Sequence, residues 1–295
     1  MIFSHWMPSY FRIAAITDEF SPDLEKAVRS MSEIGMGGAE LRMVFGKNIV
    51  DLTDEELGRA VETVRGRGLE IISIASPLLK CVLPDAPEVD ARFQQDMFAS
   101  KHTFADQPRL AARALEIAER TGARIIRVFS YWRTVRPEEC FGRIAEALGG
   151  LAEQAAPRGV IIGLENEHAC NIATGEETAR LLAALEHPSL QVVWDPANAL
   201  VSGEDPFPDG YRKIPPGRIV HVHAKDCWIE NHKVAWAPLG EGMIDWRGQV
   251  EALARDGYQG WISLETHWPG PGGDKHEASL ICGRSLMKLV ERPWS

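Results

Sequence analysis

Short apolar runs alternate along this chain with longer amphipathic stretches. An apolar run bounded by turn residues reads as a strand buried on both faces, and apolar residues three and four apart read as one face of a helix. Strands are predicted to start near residues 12, 39, 69, 124, 160, 190, 218 and 260. Between them, SPDLEKAVRSMSEIG is predicted as a helix with Ser21 as N-cap, Pro22 at the first helical position and an apolar stripe of Leu24, Ala27, Val28, Met31 and Ile34. Thr53 and Glu56 predict a capping box for the next helix, and Thr174 and Glu177 the same box for a helix running through Leu185. Further helices are expected over 108–121, in PEECFGRIAEALGGLAEQAAPRG, after an Asp245 cap, and over 275–290. Residues 77–108 break the rhythm and hold Lys101, His102 and Asp106, 203–216 read as loop with room for a short helix, and a long loop with PLGEGMIDW is expected after the seventh strand. Strands alternating with helices imply parallel strands joined by helical crossovers. Eight such units over residues 1–295, with 1–10 as an N-terminal arm, fit a single (β/α)8 TIM barrel of the α/β class. The alternative, an open doubly wound sheet, would carry a glycine-rich phosphate loop. No strand end here reads GxGxxG or GxxxxGK[ST].

In a barrel the C-terminal ends of the strands share one face, so what stands there matters most. VIIGLENEH (160–168) turns abruptly polar at Glu165, Asn166, Glu167 and His168. LQVVWDPAN ends at Asp195, RIVHVHAKD at His223, Lys225 and Asp226, and GWISLETHW at Glu265 and His267. Four successive strand ends of this kind point to one shared site. Three crowded carboxylates raise one another's pKa, and a divalent cation relieves the repulsion. Three oxygen donors and one imidazole suit Mn2+, Mg2+ or Co2+, with Zn2+ as a further candidate. His221 and His223 point to the same face, so only the one nearer the mouth should ligate. His221 is then expected one layer deeper, as a hydrogen-bonded support. Lys225 points the same way further out, toward a substrate oxygen or a carboxylate; the competing reading is a surface lysine paired with Asp226.

Composition narrows the partners. A formal net charge of −10 argues against a general affinity for nucleic acid or an anionic membrane. The five cysteines are scattered without a CxxC pair, which is neither a disulfide framework nor a zinc knuckle, and a reducing cytoplasm is expected. Neither a signal peptide nor a membrane span is expected.

The motifs LENEH, VVWDPAN, HVHAKD, PLGEGMIDW and ISLETHW, in this order, resemble the xylose-isomerase-like TIM-barrel superfamily. That group takes in sugar phosphate isomerases and epimerases, ketose 3-epimerases, inosose dehydratase and endonuclease IV-type enzymes. The resemblance implies one divalent metal, Mn2+ first, held by Glu165, Asp195, His223 and Glu265, with the HxKD pattern selecting His223. It implies that Glu165 and Glu265 form the acid/base pair on opposite faces of a sugar, abstracting a proton α to a carbonyl through an enediolate. Glu40, Trp132, Arg133, His168, Asn198 and Lys225 are then expected to hold hydroxyls and shape the pocket. Relatives are often dimers or tetramers. Departures exclude the three-zinc DNA-repair branch: Ser76 and Ser130 stand where it carries histidines, Asp195-Pro-Ala-Asn198 replaces its Asp-x-x-His, and Val234 and Trp236 replace its Asp-x-His pair. Three readings remain. An isomerase or epimerase of a sugar or polyol leads. A dehydratase of the inosose dehydratase type, with His168 or Lys225 as acid, follows, and a non-catalytic sugar-binding barrel comes third. For a phosphorylated substrate only Arg133, Arg136 and Lys101 offer loose anchors.

Overall fold

The computed structural model describes residues 11–93, 101–231 and 233–291; the expected arm at 1–10 lies outside them. Eight parallel strands close into a barrel. They are β1 (Arg12–Ile16), β2 (Gly38–Leu41), β3 (Glu70–Ala75), β4 (Ile125–Val128), β5 (Ile161–Glu165), β6 (Leu190–Trp194), β7 (Ile219–Ala224) and β8 (Trp261–Leu264). Each begins within one residue of its predicted start. Closure comes from β1 pairing with β8 in the register Arg12↔Trp261. The helices are α1 (Leu24–Glu33), α2 (Asp54–Arg65), α3 (Gln107–Thr121), α4 (Phe141–Ala155), α5 (Gly175–Ala184), α6 (Pro196–Val201), α7 (Trp246–Arg255) and α8 (Lys275–Val290). No described helix is long and apolar enough to cross a membrane.

Two apolar clusters reflect the period-2 alternation of the strands. One face of each strand, with residues such as Ala15, Ile71 and Ile262, joins the large core under the helices. The other face fills the barrel: Ala14, Ile72 and Trp261 form a separate small plug. Trp261 fits there because β2 opens with glycine, since a Cβ on Gly38 would stand 2.9 Å from the indole. Above this plug the inward positions become charged.

Three local expectations need correction. Asp23, not Ser21, caps α1: its carboxylate accepts from the Glu25 and Lys26 amides, while the Ser21 hydroxyl accepts from the Asp23 amide and Pro22 precedes the helix. The cap forms next to Leu24, where burial of the apolar stripe begins. The capping box at Thr53 and Glu56 forms in both directions, but at Thr174 only half of it does. The Glu177 carboxylate accepts instead from the Ala173 amide and from Arg133. The stretch after β7 is not plain loop but an antiparallel hairpin, Asp226–Glu230 with Lys233–Ala237. Short helical turns occupy Pro206–Gly210 and Tyr211–Lys213.

PLGEGMIDW is wound around one carboxylate. Asp226 accepts from the backbone N–H groups of Cys227, Gly240, Gly242 and Ile244. A Cβ on Gly242 would lie 2.2 Å from its Oδ1, so only glycine lets the chain come this close. Inside β5 the packing is equally tight: a Cβ on Gly163 would meet Val193 Cγ2 at 2.7 Å and Ile125 Cγ2 at 3.0 Å. Overpacking of this kind costs about 1–3 kcal/mol. We expect Gly163→Ala to lose stability in that range in urea denaturation, with an unchanged m-value.

Candidate metal centre

Four adjacent strands deliver the ligand set. Glu165 ends β5, Asp195 follows β6, His223 lies near the end of β7 and Glu265 follows β8. All four are buried, and one ligand atom from each lies within 4.8 Å of the others. Donors on opposite sides of a small divalent cation are separated by about 4–5 Å, so the cluster has the right size. His223 Nδ1 stands 3.2 Å from Glu165 Oε1 and 3.4 Å from Glu265 Oε2. Its Nε2 faces Glu40 Oε2 at 3.1 Å. A carboxylate behind one ring nitrogen keeps the proton there and turns the other nitrogen's lone pair toward a cation.

Asp195 gives a second sign of fit. Its Oδ1 caps α6 by accepting from the Asn198 amide at 2.9 Å. Its buried Oδ2 accepts no directed hydrogen bond, although Lys225 Nζ stands 2.8 Å away as an ion pair. A hard oxygen with an uncommitted lone pair, beside two carboxylates and an imidazole, matches a divalent ion of the Mg2+, Mn2+ or Zn2+ kind.

Cations surround the carboxylates. Lys225, 1% exposed, also approaches Glu265 Oε2 at 3.2 Å, so it is an inward residue and not a surface partner of Asp226. Arg127 from β4 donates to Glu165 Oε2 at 2.6 Å. Arg42, just past β2, donates to Glu265 Oε1 at 2.9 Å and to Asp18 and Glu19. Neither arginine stands out in the sequence, although a charged residue at an inward position of IIRV is a signal in principle. Burial pushes the Glu265 carboxyl up, but Lys225 and His223 outweigh it and hold the group well below the usual range. Burial likewise opposes, and His223 and Arg127 override it at, Glu165, which is lowered. At Asp195 burial prevails and its carboxyl is raised. At His223 burial favours the neutral ring, yet Glu40, Glu165 and Glu265 lift it well above 6.5.

The remaining expected residues divide. His221 is fully buried and bonds Glu40 Oε2 at 2.9 Å, one layer down as expected. Glu40, also held by Ser73, lies beneath His223 and not at the mouth. Asn198 links the site outward: its amide donates to Glu165 Oε1 at 3.3 Å, and its Oδ1 is 2.8 Å from His168 Nδ1. His168 also pairs with Glu167 at 2.9 Å and is partly exposed. Trp132 forms wall, with the buried Lys80 ammonium 5.4 Å from its ring, 4.7 Å from Phe129 and 3.9 Å from Glu167. Lys80 is a further group that the sequence reading missed. Trp236 of the hairpin packs edge-on against His267 and lies over Lys225. Arg133 is not brought to the cluster: it binds Glu177 and the carbonyls of Cys170 and Asn171. Arg136 pairs with Glu139 and Lys101 is exposed, so these do not assemble a phosphate site. Ser76 and Ser130 serve the backbone, bonding the Arg127 carbonyl and the Ile172 amide.

His223 dictates how metal uptake depends on pH. The surrounding carboxylates make the metal-free ring hold its second proton more firmly than an ordinary histidine, and a ligating imidazole must lose it. We expect Mn2+ binding to release protons and to tighten as pH rises from 6.5. Calorimetry in two buffers of different ionisation enthalpy reads both effects.

The comparisons with known proteins agree with this architecture. The profile described as xylose isomerase-like TIM barrel matches residues 28–286. Inosose dehydratase of Geobacillus thermodenitrificans is 29% identical over 148 residues, 45% of this chain and 49% of that one. That match spans about half the relative's length. Inosose dehydratase of Clostridium botulinum (strain Eklund 17B / Type B) is 23% identical over 84% of this chain and 86% of its own. Among solved structures, 3-keto-D-glucoside 4-epimerase YcjR of E. coli superposes with a TM-score of 0.65 at 18% identity, over 95% of this chain and 98% of that one. The IOLI protein with a binding zinc atom gives 0.69 at 17%, over 95% and 96%. With a closed eight-stranded barrel, and with the family profile matched over most of its length, the chain belongs to the xylose isomerase-like TIM barrel family.

Proposed function

We propose that this chain is a divalent-metal-dependent sugar or polyol isomerase or epimerase that abstracts a proton α to a carbonyl and proceeds through an enediolate. The observation that carries the reading is the convergence of Glu165, Asp195, His223 and Glu265 at one barrel mouth, with both glutamates held as carboxylates. A divalent ion on these four residues, Mn2+ foremost, supplies Lewis acidity toward a substrate carbonyl and its neighbouring hydroxyl. The protein does the rest. Glu165 and Glu265 come from strands three places apart, so the two carboxylates approach a substrate at the mouth from different sides of the barrel. One takes the α-proton and the other returns a proton to the neighbouring carbon or to the opposite face. Lys225, Asn198 and His168 offer donors to hydroxyls, and Trp132 and Trp236 offer apolar wall for C–H faces. The buried cations around the carboxylates balance the negative charge of the enediolate.

A second reading, dehydration, is favoured by the pair of His168 with Glu167. Burial lowers the basicity of His168, but Glu167 more than restores it and lifts the ring above 6.5. A cationic imidazole at the mouth can donate a proton to a departing β-hydroxyl, which leaves as water. The relatives named inosose dehydratase point the same way.

One experiment separates the readings. Mn2+-loaded protein in D2O is incubated with ketoses, inososes and keto acids, and proton NMR follows the α-hydrogens. We expect metal-dependent deuterium uptake, falling about 10²–10⁴-fold in Glu265→Gln. A new sugar isomer establishes the isomerase, and a dehydrated product establishes the lyase. In the lyase case His168→Asn should retain α-exchange and lose product. Exchange surviving in both Glu165→Gln and Glu265→Gln sinks the acid/base assignment.

A further inference from the structure

The geometry points to Arg127 as the positioning residue of the metal centre: its guanidinium holds one oxygen of Glu165 so that the other is presented to the ion. This rests on the metal quartet proposed above but not on which reaction it serves.

Three observations support it. Glu165 divides its oxygens cleanly. Oε2 accepts from Arg127 at 2.6 Å, while Oε1 faces His223 Nδ1 at 3.2 Å and accepts from Asn198 at 3.3 Å. The oxygen on the ligand side is thus distinct from the oxygen on the arginine side. Next, the pair is sealed: Glu165 is 0% exposed and Arg127 is 4% exposed. In such surroundings a fixed hydrogen-bonded cation sets the carboxylate's orientation far more firmly than one in water. Last, Glu165 is the one side chain that the arginine bonds among the described residues. Its Nε has no hydrogen-bond partner, and its guanidinium lies 4.2 Å from the Phe129 ring centroid. A buried unpaired donor destabilises a fold. A smaller apolar residue at this inward position of β4 would avoid that cost but leave Glu165 buried without this counter-charge, so the arginine's presence is tied to the carboxylate it holds.

Arg42 provides the contrast. It also binds a ligand carboxylate, Glu265, but its side chain is 14% exposed and shares itself with Asp18 and Glu19. Arg127 faces Glu165 from inside the barrel on β4, next to β5, and cannot move away without disturbing both strands.

Second-sphere partners of this kind typically tune metal affinity by 10–100-fold. The test uses the full chain, stripped with chelator and titrated with Mn2+ by calorimetry, with the EPR spectrum of bound Mn2+ as an independent reading of the ligand field. We expect Arg127→Met to weaken binding about 100-fold and to broaden the Mn2+ spectrum, while circular dichroism keeps the wild-type form. Arg127→Lys retains charge but not the reach and fork of the guanidinium. We expect it to bind about 10-fold more weakly than wild type, with a partly restored spectrum. If Arg127→Met does not fold, the lysine variant decides alone. Affinity within twofold of wild type and an unchanged spectrum in a folded Arg127 variant overturn the proposal. A wild-type chain that binds no Mn2+ overturns the quartet instead, which is a separate failure.

Discussion

The structure depends on charge balance inside a nearly dry barrel. Glu165, Asp195 and Glu265 are buried, and the buried Glu40 stands against His221 and His223. Carboxylates this close and this buried would each take up a proton unless opposite charge stood against them. The fold answers with Arg127 on Glu165, Lys225 between Asp195 and Glu265, and Arg42 on the far side of Glu265. Asp195, whose capping oxygen spends itself on α6, is the one ligand for which burial still wins.

The barrel makes this arrangement possible because each strand adds a single inward side chain per layer. The lower layer is apolar and compact, set by Trp261 against Gly38. The next layer is almost wholly ionic. Its partners come from strands distant in sequence: the contact between Glu40 and His221 spans 181 residues. The scaffold therefore has to be complete before the site exists. The hairpin after β7 and the loop wound on Asp226 then fix one side of the rim. Four backbone amides neutralise that carboxylate without any side-chain cation.

Much of this was legible in the sequence, for physical reasons. Strands buried on both faces leave uninterrupted apolar runs, so all eight were found, and polarity at their ends exposed Glu165, Asp195, His223 and Glu265 as a group. Period-2 alternation put His221 and His223 on one face, and nearness to the strand end singled out His223. Reading failed where a residue's meaning depends on direction. Arg133 lies in the segment beyond the end of β4, and its long side chain goes to Glu177. Arg127 is hidden inside an apolar run, and Arg42 and Lys80 sit in segments whose path only the closed barrel determines. Glu177 satisfied the spacing rule for a capping box yet found a better partner in Arg133. Local rules describe what a side chain can reach, not what competes for it.

The cations on the ligand oxygens bear on the order of assembly. Where a site's carboxylates are left bare, the ion must arrive with the folding chain, because the empty site repels itself. Here Arg127, Lys225 and Arg42 already offset that repulsion. If the proposed quartet holds an ion, the barrel could therefore close first and take that ion afterwards, by exchange with whatever divalent metal its surroundings supply. Oxygen-rich sites separate such metals mainly by geometry and availability. On that account the metal this protein carries would be chosen by local supply as much as by the protein itself.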